Sequence, residues 1–366
     1  MQVLPTSAID VCEESRWVFI VGAPRCGTTS LSRYLASRPD VCFSTVKEPH
    51  FFAGADLRGL SDRKLRLRIL NEYLARYFPQ RRSSPVLAEG SVTYLYVPEQ
   101  LGPILRLWPG ARFVIGVRNP LTMIPSLHQR LCFNGDETVR DFAQAWSLVP
   151  ERRQGREVPR SCADPRWLDY WEAGKLGKYV RQFVDTLGRD RCFVYLFDDF
   201  ASDPARVYGQ ILNFLELPND GRHEYPTHRD SRDFKIGWLQ RALKRPPRSL
   251  MTLGGELYRS RFQAGPKREL GALAKGVLAA RQRVLAWNRA PAPRVLLDPA
   301  LRSQMVETFR DDIADLAELL DRDLSHWLDE RESFFTEVSE RRLRAERRKR
   351  LVRSASAIAG SAALPG

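Results

Sequence analysis

The sequence lacks any long apolar run, and none of its hydrophobic stretches approaches the ~20 residues that a helix needs to cross a bilayer. Its first residues, MQVLPTSAIDVCEESRW, carry three acidic side chains and no apolar core typical of an export signal. The six cysteines form no C-x-x-C pair and no framework spacing, which favours reduced thiols. These absences together predict a soluble, cytoplasmic protein.

The composition indicates a globular chain with a substantial core and a basic surface. The chain has 366 residues, of which 43% are apolar and 28% charged, enough for one large domain or two ordinary ones. The net charge of +14 favours an anionic ligand or surface. Nucleic acid is not expected as the partner, because no nucleic-acid motif occurs and aromatic residues do not alternate with basic ones.

Apolar runs alternate with helical patterns in the first two thirds of the chain. The runs at 17–21 (WVFIV), 112–117 (RFVIGV) and 192–197 (CFVYLF) predict buried strands. Helices are predicted at 29–37, from about Leu121, and at 204–215. Such alternation is typical of an α/β fold with a parallel sheet covered on both faces.

Two segments directly follow predicted strands, namely Gly22–Thr29 and Arg118–Ser126. Ligands of open parallel sheets bind at the carboxyl ends of the strands. We therefore expect both segments to open onto one crevice.

The second half of the chain is more helical and ends in a basic segment. Residues 299–328 predict an amphipathic helix with six core-facing side chains: Met305, Phe309, Ile313, Leu316, Leu319 and Leu320. Residues 241–297, rich in Arg, Pro and Gly, allow no firm assignment. Residues 341–353 (RRLRAERRKRLVR) have eight basic side chains against one acid. They predict a solvated helix end or a disordered tail, with a weak polyanion or membrane-surface contact as the minority interpretation.

Residues 22–29 (GAPRCGTT) have the glycine spacing of a phosphate-binding loop without its lysine. Backbone N–H groups and the helix that follows favour an anion there. Thr28 stands in place of the lysine and cannot make its charge contact with a γ-phosphate, while Arg25 lies inside the loop. A ligand with a single phosphate at this point fits better, although a strand–turn–helix without any ligand is equally compatible with the loop alone.

Residues 47–52 (KEPHFF) place a cation, a carboxylate and an imidazole within four positions. In isolation this would be a surface turn at Pro49. Combined with the loop, it supplies groups suited to acid–base and electrostatic catalysis.

The combination resembles the sulfotransferases that use 3′-phosphoadenosine-5′-phosphosulfate (PAPS), most of all the glycan and heparan-sulfate type and their bacterial relatives. Pro24–Leu31 resembles their P-[KR]-x-G-T-[TR]-x-L loop, and Lys47–Phe52 resembles their K-E-x-H-F-F segment. Arg118, Asn119, Pro120 and Ser126 resemble their strand followed by R-[ND]-P and a serine eight residues after the arginine. The resemblance extends from Val18 to Trp327, through GKYVRQFVDTLGRDRCFVYLFDDFASDP and DLAELLDRDLSHWL. Two departures are Val92, where the family has proline in E-x-[ST]-P-x-Y, and Asp198-Asp199, where Glu-Asp is common.

The resemblance implies a three-layer, P-loop-like α/β fold with a central parallel sheet flanked by helices. It implies a single sulfotransferase domain over residues 1–330, with a helical C-terminal part at about 241–330 and a basic tail at 331–366. PAPS would be the donor and PAP the product, with no metal. The implied cofactor-binding residues fall in three groups: Arg25, Cys26, Gly27, Thr28, Thr29 and Ser30 at the 5′-phosphosulfate; Arg118 and Ser126 at the 3′-phosphate; and Arg229, Ser231 and Arg232 in a loop near the adenosine.

The resemblance also implies roles in transfer of the sulfuryl group. Glu48 is the first choice for the base that takes the acceptor proton, and His50 is its rival because a neutral imidazole suits neutral pH. Lys47 would stabilise the sulfuryl oxygens, and Arg25 the charge on the bridging oxygen. The acceptor is expected to be a glycan, a glycolipid or another hydroxyl-bearing metabolite. A small-molecule P-loop kinase and a non-catalytic PAP-binding protein remain the alternatives.

We expect turnover to survive an excess of chelator, because the loop lacks the lysine of a metal-dependent nucleotide site and no metal-ligand spacing occurs. The measurement is sulfuryl transfer from PAPS with and without EDTA. A strict need for a divalent metal would favour the kinase.

Overall fold

The computed structural model describes residues 15–81, 84–226, 232–244, 272–291 and 297–329. The chain divides into a compact unit, Met1–Arg322, and a second unit, Asp323–Gly366. Of the second unit, a 3-10 turn at Ser325–Trp327 is described. The predictions for Arg229, Ser231 and the basic tail at 341–353 lie outside the described residues.

Five parallel strands form the central sheet in the order β2-β3-β1-β4-β5. They are β1 (Arg16–Gly22), β2 (Val41–Phe43), β3 (Val86–Gly90), β4 (Arg112–Val117) and β5 (Cys192–Leu196). The three predicted strands are present, and the α/β fold with a central parallel sheet flanked by helices is confirmed. In β1, every residue after Arg16 is buried, as expected for a strand covered on both faces.

The described helices connect and cover these strands. They are α1 (Thr28–Ala36), α2 (Phe51–Gly54), α3 (Asp62–Arg68), α4 (Ala75–Tyr77), α5 (Gly102–Leu107), α6 (Pro120–Asn134), α7 (Phe142–Ser147), α8 (Val149–Arg153), α9 (Tyr170–Ala173), α10 (Leu176–Leu187), α11 (Phe197–Ser202), α12 (Pro204–Phe214), α13 (Gly237–Lys244), α14 (Ala272–Trp287) and α15 (Pro299–Leu320). A π-helical segment, Ile69–Leu74, lies between α3 and α4.

The strand order places a topological switch point between β1 and β4. From β1 the chain builds β2 and β3 on one side, then crosses to build β4 and β5 on the other. The loops after β1 and β4 therefore leave the sheet in opposite directions and open a crevice at their carboxyl ends. This is the edge at which Gly22–Thr29 and Arg118–Ser126 were expected to meet.

The predicted amphipathic helix at 299–328 is shorter than expected. It ends at Leu320, because Asp321 adopts the left-handed conformation at φ 51°. Met305, Phe309, Ile313 and Leu316 are buried as predicted, whereas Leu319 and Leu320 in the last turn are only half-buried.

An aromatic cluster packs against strands β1 and β4 of the central sheet. Trp17 and Phe19 of β1 pack against Trp108 and Phe113, and the Trp17 and Trp108 ring centroids are 3.8 Å apart. Phe52, from the KEPHFF segment, is fully buried against Phe19 and Trp108. Burial of an aromatic side chain contributes about 1.5–3 kcal/mol, so this segment is anchored in the core by its own sequence.

A second, two-stranded antiparallel sheet joins β6 (Arg232–Phe234) to β7 (Arg289–Pro291). Asn288 is fully buried and links the two segments. Its backbone carbonyl accepts from the Lys235 amide and its side-chain Oδ1 accepts from the Ile236 amide, both at 2.8 Å. The start of α13 therefore lies against the end of α14. Arg232, one of the predicted cofactor-binding residues, begins β6.

Candidate active site

The loop after β1 is fixed to the two neighbouring strands. The amide of Ala23 donates to the carbonyl of Gly116 in β4 at 2.6 Å, and the hydroxyl of Tyr195 in β5 donates to the carbonyl of Cys26 at 2.8 Å. Both contacts involve buried groups, so they hold the loop backbone in one conformation.

Gly27 forms the end of the loop and the N-cap of α1. Its φ of 80° favours glycine, and a Cβ there would lie 2.9 Å from the Phe200 ring. No side chain caps the helix, and its first turn has no acidic residue. The first amides of a helix have no intrahelical acceptor, so the start of α1 favours an anion at Thr28 and Thr29.

Residues of the loop alternate between the interior and the surface. Arg25, Gly27 and Thr29 are half-exposed, whereas Cys26 and Thr28 are buried. The Cys26 thiol donates to the Pro24 carbonyl, and burial raises its pKa to about 12. Cys26 can therefore bind a ligand through its backbone amide but does not supply a thiolate.

Arg118, at the end of β4, is held from three sides. Its Nε donates to Thr122 Oγ1 at 3.0 Å, its Nη1 donates to the Arg25 carbonyl at 3.2 Å, and its guanidinium lies over the Phe197 ring at 4.7 Å. Burial lowers the pKa of Arg118, but an arginine keeps its charge in proteins. This charge is thus fixed beside the loop after β1.

Ser126 lies in α6, whose first turn is capped by the Asn119 side chain. Arg25 Nε donates to Ser126 Oγ at 2.8 Å. The structure therefore brings Arg25 together with Arg118 and Ser126, which lie 93 and 101 positions later in the sequence, as expected for one crevice.

The KEPHFF segment follows β2 and is hydrogen-bonded to the end of β3. Glu48 N donates to the Gly90 carbonyl at 2.8 Å, while Ser91 N donates to the Ile20 carbonyl of β1 at 2.9 Å. Lys47 Nζ lies 2.5 Å from Glu48 Oε1, and His50 Nε2 lies 3.9 Å from Glu48 Oε2. The three ionisable groups thus form one row with Glu48 in its centre.

His50 is held by two hydroxyl groups. Its Nδ1 is 2.8 Å from Thr93 Oγ1, and its backbone amide donates to Ser91 Oγ at 3.0 Å. Burial lowers the pKa of His50, against the opposing effect of Glu48. The imidazole is therefore neutral at pH 7 and can orient a proton or an acceptor hydroxyl.

Three of the six described non-glycine residues with positive φ lie in these two segments. Arg25 (φ 66°), Glu48 (φ 66°) and His50 (φ 53°) all adopt the left-handed conformation that side chains rarely take. Such strain costs about 1–3 kcal/mol per residue and persists where the surroundings impose it, which is typical of functional sites.

Glu89 is a residue that the sequence analysis did not single out. It lies at the end of β3 with no exposed surface, and Tyr73 donates to its Oε2 at 2.8 Å. Burial raises its pKa to about 7, although the hydroxyls of Tyr94, Tyr73 and Ser91 act in the opposite direction. The sequence feature that could have identified Glu89 is its position in AEGSVTYLY, the segment that resembles the family's E-x-[ST]-P-x-Y pattern except at Val92.

Glu89 is linked to the KEPHFF segment through Tyr94 and Ser91. Tyr94 also accepts from the Phe52 amide at 3.2 Å, and Ser91 accepts from the His50 amide. The hydroxyls around Glu89 are thus the ones that hold the backbone at His50 and Phe52.

Within the described part of the chain, no group of three or more His, Cys, Asp or Glu side chains could hold a metal ion. Over the same residues, none of the helices has the length and apolar character needed to cross a membrane.

Comparison with known proteins agrees with this arrangement. The model of a family described as "Sulfotransferase family" matches residues 18–221. A sulfotransferase from Alicyclobacillus acidocaldarius is 25% identical, covers 85% of this chain and 98% of its own, and has a TM-score of 0.55.

More distant solved structures share the same description. The sulfotransferase domain of the Synechococcus PCC 7002 olefin synthase is 16% identical over 85% of this chain and 96% of its own, with a TM-score of 0.40. Mouse sulfotransferase SULT7A1, solved with PAP, is 12% identical over 84% of this chain and 88% of its own, with a TM-score of 0.36. No curated protein sequence matches the chain significantly.

A parallel sheet with a loop and a helix N-terminus at its switch point is a P-loop-like α/β fold, and the family match is more specific. The chain belongs to the sulfotransferase family.

We expect Glu89→Gln to remove a pH dependence of stability. The folded-state pKa of about 7 lies above the ordinary value of 4.5, so Glu89 favours the folded state below pH 4.5. This contribution is lost as the pH rises towards 7, by about 3 kcal/mol in the free energy of unfolding. The measurement is urea unfolding at a series of pH values.

Glutamine at position 89 is neutral throughout, so the variant should lose this slope. Glu72→Gln, an exposed carboxylate paired with Arg68, is the matched control and should keep it. An unchanged slope in Glu89→Gln would show that another group titrates.

Proposed function

We propose that the protein transfers the sulfuryl group of PAPS to an acceptor hydroxyl. The observation that carries this proposal is the hydrogen-bonded cluster of Arg25, Arg118 and Ser126 at one crevice. Two guanidinium groups joined in one cluster suit a ligand with two separate anionic groups. PAPS has such groups in its 5′-phosphosulfate and its 3′-phosphate.

The phosphosulfate would lie on the loop, against the amides at the start of α1 and the Arg25 side chain. The 3′-phosphate would contact Arg118, which lies between β4 and α6, and Ser126, which lies in α6. Ser126 already accepts from Arg25 Nε, so one hydroxyl would connect the two ends of the ligand. Arg232, and Arg229 and Ser231 outside the described residues, stay candidates for the adenosine end.

In the proposed reaction the acceptor oxygen attacks sulfur while the bond from sulfur to the bridging oxygen breaks. The acceptor proton passes to the Glu48 carboxylate, and PAP leaves with the bridging electron pair. Arg25 would stabilise charge on the bridging oxygen, and Lys47 the sulfuryl oxygens. His50, 3.9 Å from Glu48, is the alternative base or orients the acceptor.

The kinase and the non-catalytic PAP-binding protein are less well supported. Thr28 occupies the position of the loop lysine that a P-loop kinase uses for the β- and γ-phosphates. A binding protein does not need the Lys47–Glu48–His50 row or the backbone strain at two of its members. Both observations favour the sulfotransferase.

The acceptor that we favour is a carbohydrate or a glycoconjugate, by the motif resemblance to glycan sulfotransferases. The described cysteines are all free thiols, which fits a reducing compartment, and we place the reaction in the cytoplasm.

Glu48→Gln should lower kcat by roughly 10²–10⁴, because the amide keeps the shape of the side chain but cannot accept the proton. PAP affinity should stay close to that of the wild type. The measurement is turnover with labelled PAPS and host extract, together with calorimetric titration of PAP.

Glu72→Gln, which also removes an ion-paired carboxylate, is the control and should keep wild-type turnover. If Glu48→Gln is active while His50→Ala is not, the base is His50.

Arg118→Ala/Ser126→Ala should lose most of the preference for PAP over AMP. Each charge-assisted hydrogen bond to the 3′-phosphate contributes ~1.5–3 kcal/mol, so two should give the wild type a preference of about a hundred-fold or more. Calorimetry with both nucleotides measures this ratio.

The control variant is Arg181→Ala/Ser147→Ala, which removes the same side-chain types from a half-exposed position on α10 and an exposed position on α7. Equal discrimination by wild type and Arg118→Ala/Ser126→Ala would place the 3′-phosphate elsewhere, with Arg229 and Arg232 as the next candidates.

A further inference from the structure

The hydroxyl of Thr93 contacts the imidazole of His50 in the candidate active site. Thr93 Oγ1 lies 2.8 Å from His50 Nδ1, and both residues are half-buried. In AEGSVTYLY, Thr93 follows Val92 and occupies a position that the pattern E-x-[ST]-P-x-Y leaves open to any residue. The resemblance to the family therefore assigns no role to this hydroxyl.

The backbone of each partner is held independently of this contact. Thr93 begins the 3-10 turn Tyr94–Tyr96, and its carbonyl accepts from the Tyr96 amide at 3.1 Å. Its side chain does not cap that turn. The amide of His50 donates to Ser91 Oγ at 3.0 Å. Removal of the Thr93 hydroxyl should therefore leave both segments in place.

The two nitrogens of the His50 ring have different surroundings. Nδ1 has the Thr93 hydroxyl at 2.8 Å, whereas Nε2 lies 3.9 Å from Glu48 Oε2. An ionised carboxylate only accepts hydrogen bonds, while a hydroxyl both donates and accepts. A proton on Nε2 places a positive N–H near the carboxylate, whereas a proton on Nδ1 would leave a lone pair there. The first tautomer is favoured, and in it Nδ1 accepts from the Thr93 hydroxyl.

Neighbouring charges do not reverse this preference. Lys47 contacts the other oxygen of the Glu48 carboxylate, with its Nζ 2.5 Å from Oε1. Asp164 is a second carboxylate that acts electrostatically on His50. It accepts from Arg166 Nε at 2.9 Å and from Arg166 Nη2 at 2.8 Å, so its charge is offset by its own partner. Glu48 therefore has the larger influence on the position of the His50 proton.

We propose that Thr93 is a positioning residue that keeps the proton of neutral His50 on Nε2, so that His50 donates a hydrogen bond and is not the base. This inference rests on the proposed function and concerns the acceptor end of the same site. With Nδ1 bound to Thr93 and Nε2 protonated, neither nitrogen offers a lone pair to the acceptor proton. That proton then passes to Glu48.

The separation of Nε2 and Oε2 suits a bridging acceptor hydroxyl. Because these atoms are 3.9 Å apart, one oxygen can lie within about 2.6–3.2 Å of both. It would accept from His50 Nε2–H and donate to Glu48 Oε2, which fixes the direction of its own O–H bond. During transfer its proton moves to Oε2, the oxygen bonds to sulfur, and the bridging oxygen leaves with its electron pair. His50 neither gains nor loses a proton.

The first test measures the tautomer directly, by heteronuclear NMR of the full chain with isotope-labelled histidine and no ligand. The chain has five histidines, and His50→Gln identifies the signals of His50. Above the pH at which His50 titrates, we expect the wild type to have a protonated Nε2 and an unprotonated Nδ1. Thr93→Val keeps the shape and removes the hydroxyl, so the ratio of this tautomer to the other should fall about tenfold, the equivalent of one neutral hydrogen bond.

The second test measures transfer from labelled PAPS with host extract. Thr93→Val should lower the rate at saturating PAPS about tenfold, while the PAPS concentration for the half-maximal rate stays within about twofold of wild type. Thr93→Ser restores the hydroxyl and should recover both the tautomer and most of the rate. Thr308→Val is the matched control, because it removes a hydroxyl from a half-exposed position on α15, and it should behave like the wild type in both tests.

Three results would overturn the inference: a wild type with the proton on Nδ1, a tautomer ratio in Thr93→Val equal to that of wild type, or a changed ratio with an unchanged transfer rate. If Thr93→Val is less stable in thermal unfolding, Thr93→Ala takes its place, and the wild-type tautomer is a test that needs no substitution. The NMR measurement also needs no PAPS. A chain with the expected tautomers that transfers no sulfuryl group would contradict the proposed function, whereas transfer with the proton on Nδ1 would contradict the role of Thr93 alone.

Discussion

The close contact between the loop after β1 and the end of β4 is the constraint on which the site depends. A Cβ at Gly116 would lie 2.5 Å from the Tyr195 ring and 2.9 Å from the Cys26 carbonyl oxygen, so only glycine allows β4 to pass beneath the loop. The Ala23 amide and the Tyr195 hydroxyl then fix the loop from both sides. This contact thereby orients the amides at the start of α1.

Strain in the loop and in the KEPHFF segment is sustained by the buried surroundings. Three left-handed residues at about 1–3 kcal/mol each are a considerable fraction of the stability of an ordinary domain. Phe52 in the aromatic cluster and the hydroxyls of Ser91 and Tyr94 hold one segment, while Tyr195 holds the other. Glu89 is buried beside Tyr73, and it interacts with the same Ser91 and Tyr94 hydroxyls that hold the KEPHFF segment.

The sequence predicted the elements that have a strong local pattern and missed those that depend on tertiary contacts. The apolar runs of β1, β4 and β5 were long enough to show burial on both faces. Strand β2 has only three residues, and β3 (VLAEG) contains a carboxylate and a glycine, which are unfavourable in strands. The predicted helix over 299–328 continued past Leu320, where the observed helix ends. The left-handed conformation of Asp321 ends the helix, and the spacing of hydrophobic residues does not predict that conformation. The contact between Arg25 and Ser126 could be expected as a shared crevice but not as a hydrogen bond, because α6 sets its geometry.

The row formed by Lys47, Glu48 and His50 suggests how binding of the proposed donor, PAPS, could make Glu48 a stronger base. The Lys47 ammonium lies 2.5 Å from the Glu48 carboxylate, and a neighbouring cation makes a carboxylate a weaker proton acceptor. If Lys47 turns to the sulfuryl oxygens, as proposed, Glu48 gives up this contact and gains affinity for a proton. His50 stays in place on Thr93 and Ser91, so the carboxylate keeps its orientation. On this proposal, an acceptor hydroxyl would meet the stronger base when Lys47 contacts the donor.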